Sequence, residues 1–443
     1  MSVFFTGTGV VISMFLFGFA VTSLIERQMR AAAVSLVTGA AFATAWLAAG
    51  ILLPGFSDII AICAWGAIAL VTLVLMLPIG NKQPMAIDEQ AAKRVDERDI
   101  MFSRMLLEEG SSRMRRYYGE LRPELAETDK KLRALPRLGD PGSKYYDPAQ
   151  TPYTMALFEL IEGIGRHAGP KEPAAGGRAG ITAREATKKV KQLAKRLGAA
   201  DVKTAKLKDY HVYSHTGRGE ETWGKEISLP HSHAIVISVE MDYQTVQKAP
   251  QAAIMTETAT RYMESAAIAI ALADYCASLG YSARAHMDSN YQVLCTALAH
   301  DAGIGELGRL GLIMTPRLGP RVRLAAVTTD LPLEEDERVN FGVQDFCGIC
   351  LKCARCCPGG AISSSDKEEV NGATKWQSSQ EACYRVWRKY GTDCCICMAV
   401  CPHSKPDTFY HGLVRFFCTR SSQARRLALR LDDIFYGKNP RRS

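Results

Sequence analysis

Two cysteine runs near the carboxyl end of the chain constrain it most. The first, from Cys347 to Pro358, has the pattern C-x2-C-x2-C-x3-C-P, and the second, from Cys394 to Pro402, repeats its C-x3-C-P ending. In such runs three cysteines surround one iron–sulfur cube, and the fourth, before proline, binds the neighbouring cluster. The spacing therefore predicts two [4Fe–4S] clusters. One is bound by Cys347, Cys350, Cys353 and Cys401, and the other by Cys357, Cys383, Cys394 and Cys397.

Structural zinc is the alternative, because C-x2-C pairs also form tetrahedral zinc sites. Nothing in zinc chemistry requires the x3-C-P step to occur twice, so the iron–sulfur interpretation is favoured. Cys356 and Cys395 lie beside predicted ligands and are expected not to bind metal. Thiols spaced for metal also argue against disulfides and for a reducing compartment.

Three uncharged stretches in the first 81 residues predict membrane-spanning helices. Residues 4–25, 31–57 and 59–81 carry no charged side chain, and each is long enough to cross a hydrocarbon layer about 30 Å thick. The first stretch has no basic region before it and two more spans follow, which disfavours a cleaved signal peptide.

The loop charges predict the orientation of these spans. Arg27 and Arg30 lie in the first loop, the second loop has no basic residue, and Lys82, Lys93 and Arg94 follow the third span. By the positive-inside rule, the first loop and everything after residue 81 face the cytoplasm. The expected location is therefore the cell inner membrane, with multiple spans and a cytoplasmic catalytic domain.

The formal net charge of +8 comes partly from a basic tail. Its basic residues include Arg415, Arg420, Arg425, Arg426, Arg430, Arg441 and Arg442. No nucleic-acid module accompanies them, so no nucleic-acid partner is expected. Attraction to anionic lipid headgroups and an ordinary solvated helix face remain the two interpretations.

Helices alternate with short apolar strands in the middle of the chain. Thr182 and Glu185 form a capping-box pattern before a helix that ends at Gly198, whereas residues 169–181 are too rich in glycine and proline for a packed element. Residues 234–241 and 322–330 are predicted strands, and 259–279 is a predicted helix that stops at Gly280. This alternation predicts an α/β or α+β layer over about 150–340.

A glycine run, 303–311, contains a formal G-x-G-x-x-G. It follows alanine- and leucine-rich residues 292–302, which are predicted to be helical, whereas a dinucleotide fingerprint should follow a strand. We therefore expect exposed backbone amides with little steric cover, suited to a large polar cofactor. The glycines concerned are Gly303, Gly305, Gly308 and Gly311.

Several segments together make the chain resemble the reductive dehalogenases and, more distantly, epoxyqueuosine reductase. They are 279–283, the glycine run, 318–323, 329–331, both cysteine runs, Trp376, Cys383, Trp387 and 432–437. The resemblance covers roughly 180–437. It implies an α+β fold with a nitroreductase-like cobalamin domain and a bacterial-ferredoxin-like module. The implied organisation is a membrane anchor (1–81), a helical linker and irregular arm (82–150), the cobalamin domain (151–340), the cluster module (341–405) and the basic tail (406–443).

The resemblance also implies roles for individual residues. Tyr262 matches the catalytic tyrosine and Arg321 its basic partner. Replacing halogen by hydrogen consumes a proton, and a phenol donates poorly until a cation stabilises its phenolate. Without the resemblance, a helix-surface tyrosine and an ordinary salt bridge would be the simpler interpretations. Asp288 stands where better-known dehalogenases tend to carry asparagine, so it adds a charge or a different hydrogen bond to the catalytic pocket.

Further cofactor contacts are implied at His286, Asn290 and Trp387, besides the four glycines. The cobalamin motif D-x-H-x-x-G is absent, since the nearest match begins Asp209-Tyr-His211 and ends in serine. A base-off corrinoid without a protein ligand to cobalt is therefore expected.

These features imply a membrane-anchored, cobalamin-dependent reductive dehalogenase acting on an organohalide. Its electrons would come from a ferredoxin- or flavodoxin-type protein or from a membrane quinol. Two alternatives stay open: a related reductase of an epoxide or C–O bond, and a tethered electron carrier without corrinoid.

Overall fold

The chain forms two compact units in the structure, a computed structural model that describes residues 2–78, 80 and 82–440. The terminal unit comprises Met1–Gln83, Asp345–Lys352 and Pro406–Ser443, and the central unit comprises Pro84–Gln344 and Cys353–Lys405. Arg441 and Arg442 of the predicted basic tail lie outside the described residues.

The helices, in chain order, are α1 (Val3–Ile25), α2 (Met29–Leu52), α3 (Ser57–Met76), α4 (Met101–Met105), α5 (Ser112–Arg116), α6 (Ala126–Arg133), α7 (Gln150–Gly165), α8 (Ala183–Arg196), α9 (Tyr243–Val246), α10 (Ala252–Ser278), α11 (Cys295–Asp301), α12 (Val343–Cys350), α13 (Lys352–Cys356), α14 (Gln380–Tyr390), α15 (Ile396–Ala399), α16 (Phe409–Cys418) and α17 (Ser422–Tyr436). The strands are β1 (Pro170–Lys171), β2 (Asp201–Lys206), β3 (His233–Glu240), β4 (Ala283–His286), β5 (Glu306–Leu307), β6 (Ile313–Met314), β7 (Val322–Thr329), β8 (Glu368–Val370) and β9 (Ala373–Lys375).

Three apolar helices open the terminal unit. Val3–Ile25, Met29–Leu52 and Pro54–Met76 are long and apolar enough to cross a membrane, by length and composition. The Phe5 and Trp46 rings stack with centroids 4.6 Å apart. A Cβ at Gly9 would meet the Trp46 ring, so a glycine there lets α1 and α2 approach closely. The prediction of three helices is confirmed, with the third ending at Met76.

The basic tail folds into α16 and α17 within the same unit. Arg425 is almost fully buried, bonds to Asp345 and donates to the Cys418 carbonyl at 2.7 Å. Both earlier interpretations, a headgroup contact and a solvated face, are therefore wrong for Arg425, because its charge is neutralised inside the protein.

A five-stranded antiparallel sheet forms the core of the central unit, in the order β1-β4-β7-β3-β2. The two predicted strands are confirmed as β3 and β7, which pair along their whole length at the centre of the sheet. Residues 170–171 pair with β4 at the sheet edge. The prediction of a loop without any packed element over 169–181 is therefore wrong for these two residues. The mixed α and β content agrees with the predicted class.

The long helix α10 covers one face of the sheet. It begins at Ala252, seven residues before the predicted start at 259, and ends before Gly280 as predicted. Gly280 has φ +84°, and a Cβ there would collide with the Gly177 carbonyl, so glycine is required at this turn. The capping box of Thr182 and Glu185 is confirmed at the start of α8. The helix predicted over 292–302 is confirmed as the shorter α11.

Residues 84–150, which make up most of the predicted linker and arm (82–150), belong to the central unit. Arg104 is buried and binds Asp129 at 2.5 Å and Glu381 of α14 at 2.6 Å. From α14, Arg388 donates to the carbonyls of Leu135 and Pro136. This segment therefore packs against α14 and helps to hold that helix, which carries Cys383, in place.

Candidate functional site

Tyr262 and Arg323 form the centre of the candidate site. Tyr262 lies on α10 and is partly buried, and the Arg323 guanidinium, from β7, lies 5.3 Å from the centre of its ring. Arg323 also donates to Thr258 Oγ1 at 2.8 Å, one helical turn before Tyr262. The central strand and the long helix thus fix a cation against the tyrosine.

The structure places Arg323, and not the predicted basic partner Arg321, against the Tyr262 ring; Arg321 lies over the ring of Tyr243 instead. Arg321 is fully buried and donates to the carbonyls of Ser404 at 2.6 Å and Met241 at 2.5 Å, and to Glu240 at 3.2 Å. Residues two apart on a strand share a face but lie about 7 Å apart. The cation expected at Arg321, just before β7, is therefore supplied two residues later by Arg323.

Two acids complete the electrostatic surroundings of Tyr262. Burial raises the pKa of Tyr262 well above its usual value, Arg323 counteracts this, and the charges of Asp288 and Asp393 add to the rise. Burial likewise raises the pKa of Asp288, and it raises that of Asp393 to about 6. The tyrosine is thus protonated at neutral pH and has a cation ready to stabilise its phenolate.

Asp393 and Arg323 retain hydrogen-bonding capacity. Their closest charged atoms are 3.8 Å apart, and Oδ2 of Asp393 and Nε of Arg323 are buried with no hydrogen-bond partner within the described part of the chain. Such groups suit a site that receives a further polar ligand. Sequence reasoning missed both residues, although the Arg-Val-Arg repeat at 321–323 and the position next to Cys394 offered a signal.

His286 and Asn290 are occupied by the protein itself. His286 is fully buried, its Nε2 lies 2.8 Å from Thr328 Oγ1, and its Nδ1 accepts from the Gln292 amide at 3.1 Å. Asn290 accepts from Arg284 at 2.5 Å and donates to the Gly165 carbonyl at 2.7 Å. Both ring nitrogens of His286 thus have partners within the protein, and its contact with a cofactor stays a prediction. For Asn290 it also stays a prediction.

The glycine run is covered by the chain. Gly303, Gly305 and Gly308 are buried, and a Cβ at these positions would meet the Glu337 carbonyl, the Met314 carbonyl and the Met314 side chain. The expectation of uncovered amides is therefore wrong for these three glycines, which instead allow close packing. Gly311 is exposed, and its role in cofactor binding stays a prediction.

Four predicted cluster ligands in the central unit, Cys357, Cys383, Cys394 and Cys397, lie close enough for electrostatic interaction. Burial raises the pKa of Cys394 to about 12, and the charges of Cys383 and Cys357 contribute. Burial also raises the pKa of Cys397 well above its usual value, and the charges of Cys395, Cys353, Cys394 and Cys383 contribute. On their own these thiols would stay protonated at neutral pH, so a bound metal would be needed to hold them as thiolate ligands.

Local structure places these cysteines. Cys394 has a left-handed backbone with φ +60° just before α15, and Cys383 is presented by α14. The Ala361 amide donates to Cys357 Sγ at 3.3 Å, and Trp387 hydrogen-bonds to Cys383. Trp387, predicted as a cofactor contact, therefore lies at the cluster cysteines.

Cys356 and Cys395 lie close to the predicted ligands: Cys356 packs in one apolar cluster with Cys394, and the charge of Cys395 acts on Cys397. Cys395 is buried with its Sγ 3.9 Å from Nη2 of Arg323, so its side chain lies at the tyrosine site. Cys356 belongs to an apolar cluster with Val386 and Ile396. The expectation that neither binds metal stays a prediction.

Cys347 and Cys350 lie on α12 in the terminal unit. Both are buried, and burial raises the pKa of Cys350 to about 12. Over the described ranges, no three His, Cys, Asp or Glu side chains could hold a single metal ion. In a [4Fe–4S] cluster each of the four irons binds one cysteine, so the four thiolates do not have to converge on a single metal ion.

Comparison with known proteins places the chain near the reductive dehalogenases. No protein-family model matches it. It is 34% identical over 215 residues to a tetrachloroethene reductive dehalogenase of Desulfitobacterium hafniense, covering 46% of this chain and 38% of the relative. A solved reductive dehalogenase described in terms of B12-dependent dehalogenation matches with 27% identity and a TM-score of 0.67, covering 81% of this chain and 49% of that structure.

An epoxyqueuosine reductase of Lactococcus garvieae is a further relative, 32% identical over 116 residues, which are 25% of this chain and 31% of the relative. The resemblance to reductive dehalogenases is confirmed. The chain spans 38% of the length of the first of these curated relatives.

Adjacent cysteines offer a test of the cluster ligands. We expect Cys394→Ser to lower the iron content from about eight atoms per chain towards about four, because one of two cubes loses a ligand. Cys395→Ser should leave the iron content unchanged, because its thiol lies at Arg323. Iron and sulfide assays on the reconstituted full chain measure both. Equal iron loss in the two variants would contradict the assignment.

Proposed function

We propose that this protein is a membrane-anchored reductive dehalogenase that replaces a halogen on an organohalide by hydrogen, using a corrinoid and two [4Fe–4S] clusters. The observation that carries the proposal is the Tyr262–Arg323 pair, which lies beside the segment that also supplies Cys394. The proposed proton donor and a predicted cluster ligand would thus lie on neighbouring segments of one unit. Homology to reductive dehalogenases supports the same chemistry.

The cysteines would hold the clusters as their spacing indicates. Cys357, Cys383, Cys394 and Cys397 would bind one cube in a bacterial-ferredoxin-like arrangement. The other would take the remaining four predicted ligands, Cys347, Cys350, Cys353 and Cys401. Both would supply electrons at low potential.

A corrinoid, when bound, would supply the reducing centre that breaks the carbon–halogen bond. Of its predicted contacts, Gly311, Asn290 and His286 remain candidates in a nitroreductase-like domain. Asp288 would line the substrate side together with Tyr262, since its charge acts on that phenol. No protein ligand to cobalt is proposed.

Tyr262 would donate the proton. Conversion of R–X to R–H and halide consumes two electrons and one proton. Burial keeps the phenol protonated at neutral pH by raising its pKa, and Arg323 lowers the cost of releasing the proton. Solvent would restore the proton after each turnover.

The three apolar helices would anchor the protein in the cell inner membrane, with the central unit in the cytoplasm. Arg27 and Arg30 in the first loop support this orientation. Protease added to inverted membrane vesicles should cut the exposed loop around Gly176 and Gly177, whereas protease added to intact spheroplasts should not. The reverse pattern would contradict the orientation.

Tyr262→Phe tests the proton donor. With clusters and corrinoid bound, halide release from halogenated phenols or chloroethenes should fall by about a hundredfold or more, because a general acid is lost. Tyr291→Phe is the matched control, since that hydroxyl already donates to the Leu324 carbonyl at 3.1 Å. Undiminished turnover in Tyr262→Phe would refute the role. Parallel assays with epoxides test the alternative reductase.

Arg323→Gln tests the cation. The cation lowers the pKa of Tyr262, so its removal should make the phenol a weaker acid and slow turnover by about a hundredfold. Arg323→Lys should recover part of the rate. Arg321→Gln should lower the melting temperature but leave turnover of the folded protein close to that of the wild type. A large loss of turnover in Arg321→Gln, with turnover kept in Arg323→Gln, would contradict the assignment.

A further inference from the structure

The outer face of α17 carries an exposed apolar stripe beside a basic one. Leu427, Leu431 and Ile434 follow one another at spacings of four and three, so they share one face of the helix, and they are 38%, 40% and 52% exposed. Arg426 and Arg430 each precede a leucine of this apolar stripe by one residue, and both are exposed. A contiguous apolar surface of this kind marks a contact with a partner or a membrane.

The preceding helix, α16, also exposes apolar side chains. Phe409 is 71% exposed, and Phe416, about two turns later, is exposed as well. The Arg420 guanidinium lies over the Phe416 ring, 3.7 Å from its centre. Asp407, close to Phe409, is neutralised by Arg415 at 3.1 Å. Exposed aromatic rings next to paired or basic charges are typical of the boundary between acyl chains and lipid headgroups.

Helix α16 packs along the second half of α1. The Tyr410 hydroxyl donates to the Phe15 carbonyl at 3.0 Å, and Nε2 of His411 lies 3.0 Å from both carboxylate oxygens of Glu26, which follows α1. About ten residues of helix, roughly 15 Å, separate Phe15 from the end of α1, which is about half the hydrocarbon thickness of a bilayer. A tyrosine side chain is much shorter than this distance. The start of α16 would therefore lie at the depth of acyl chains when α1 spans a membrane.

Helix α17 contacts the same end of the apolar helices. The Phe435 ring lies 5.3 Å from that of Phe19, in the last two turns of α1, and the Ile434 carbonyl accepts from Nε of Arg30, at the start of α2, at 3.2 Å. The end of α17 is thus level with the loop between α1 and α2. For a pair of spanning helices, this is the level of the lipid headgroups.

We propose that α16 and α17 form an amphipathic pair of helices embedded in the surface of an anionic bilayer. The apolar stripe, Leu427, Leu431 and Ile434, would lie among acyl chains, and Arg426 and Arg430 would bind headgroup phosphates. An anionic lipid fits because its acyl chains match the stripe and its phosphate matches the arginines beside it. The three apolar helices of the same unit bring such lipids to this face.

The inner face of α17 binds a segment with two predicted cluster ligands. Within 345–352, Asp345 bonds to Arg425, and the almost fully buried Lys352 binds Asp433 at 2.9 Å. Insertion of the outer face in lipid would therefore tie this cysteine segment to the bilayer surface. The inference rests on the proposed membrane anchor, and it does not depend on the reaction that the protein catalyses.

Photochemical labelling tests the proposal. The full chain carries a photoreactive benzoylphenylalanine at Leu431 or, as a second position, at Leu427, and is reconstituted into vesicles of equal parts phosphatidylcholine and phosphatidylglycerol. After illumination, mass spectrometry should show phospholipid adducts at both positions. Leu197, an exposed leucine after α8 in the central unit, is the matched control and should give none. Leu70, exposed on α3, reports on the anchor and should also give adducts.

The same adducts test the basic stripe. At Leu431, phosphatidylglycerol adducts should outnumber phosphatidylcholine adducts by about fivefold, because the arginines attract anionic headgroups. Arg426→Gln combined with Arg430→Gln should bring the two adducts to within about twofold of each other. Arg184→Gln combined with Arg196→Gln removes the same charge from exposed positions on α8 and should leave the ratio unchanged.

Three results would overturn the proposal and leave the anchor in place, provided that Leu70 is labelled by lipid. They are no lipid adduct at Leu427 and Leu431, cross-linked dimers in place of lipid adducts, and an unchanged lipid ratio after loss of the two α17 arginines. Absence of adducts at Leu70 as well would refute the anchor together with this proposal. Failure of organohalide turnover would count against the proposed function alone.

Discussion

The position of Arg323 determines the rest of the candidate site. It lies on the central strand of the sheet, in contact with Tyr262 and Thr258 of α10 and close to Asp393 and Cys395 of the cysteine segment. A buried guanidinium is stable only with partners on several sides. The strand, the long helix and the cysteine segment therefore pack around it, so the Tyr262 phenol lies near the segment that carries the predicted ligand Cys394.

Short-range patterns were sufficient for much of the structure. The capping box at Thr182, the apolar strands β3 and β7 and the three uncharged helices follow from neighbouring residues, so they could be predicted from the sequence. The resemblance located Tyr262 for the same reason, because it depends on residues close in sequence. The cysteine spacing predicted eight ligands. Four of them, Cys357, Cys383, Cys394 and Cys397, lie close enough in the central unit for their charges to affect one another's pKa values.

Features that depend on distant residues could not be predicted. The choice between Arg321 and Arg323 is made by Ser404, Met241 and Thr258, which approach β7 from three other segments. The glycine run is covered by Glu337 and Met314, and His286 is occupied by Thr328. Sequence spacing along one strand carries no information on what packs against it.

The bond between the buried Arg104 and Glu381 has a practical consequence for producing this protein without its three apolar helices. A shortened form that starts near the sheet, at about residue 150, would lose Arg104 and Asp129 and the carbonyls that receive Arg388. Helix α14 would then present uncompensated charges where Cys383 is held. A version that lacks these helices should therefore begin near Pro84, so that Arg104, Asp129 and the carbonyls bonded by Arg388 are kept.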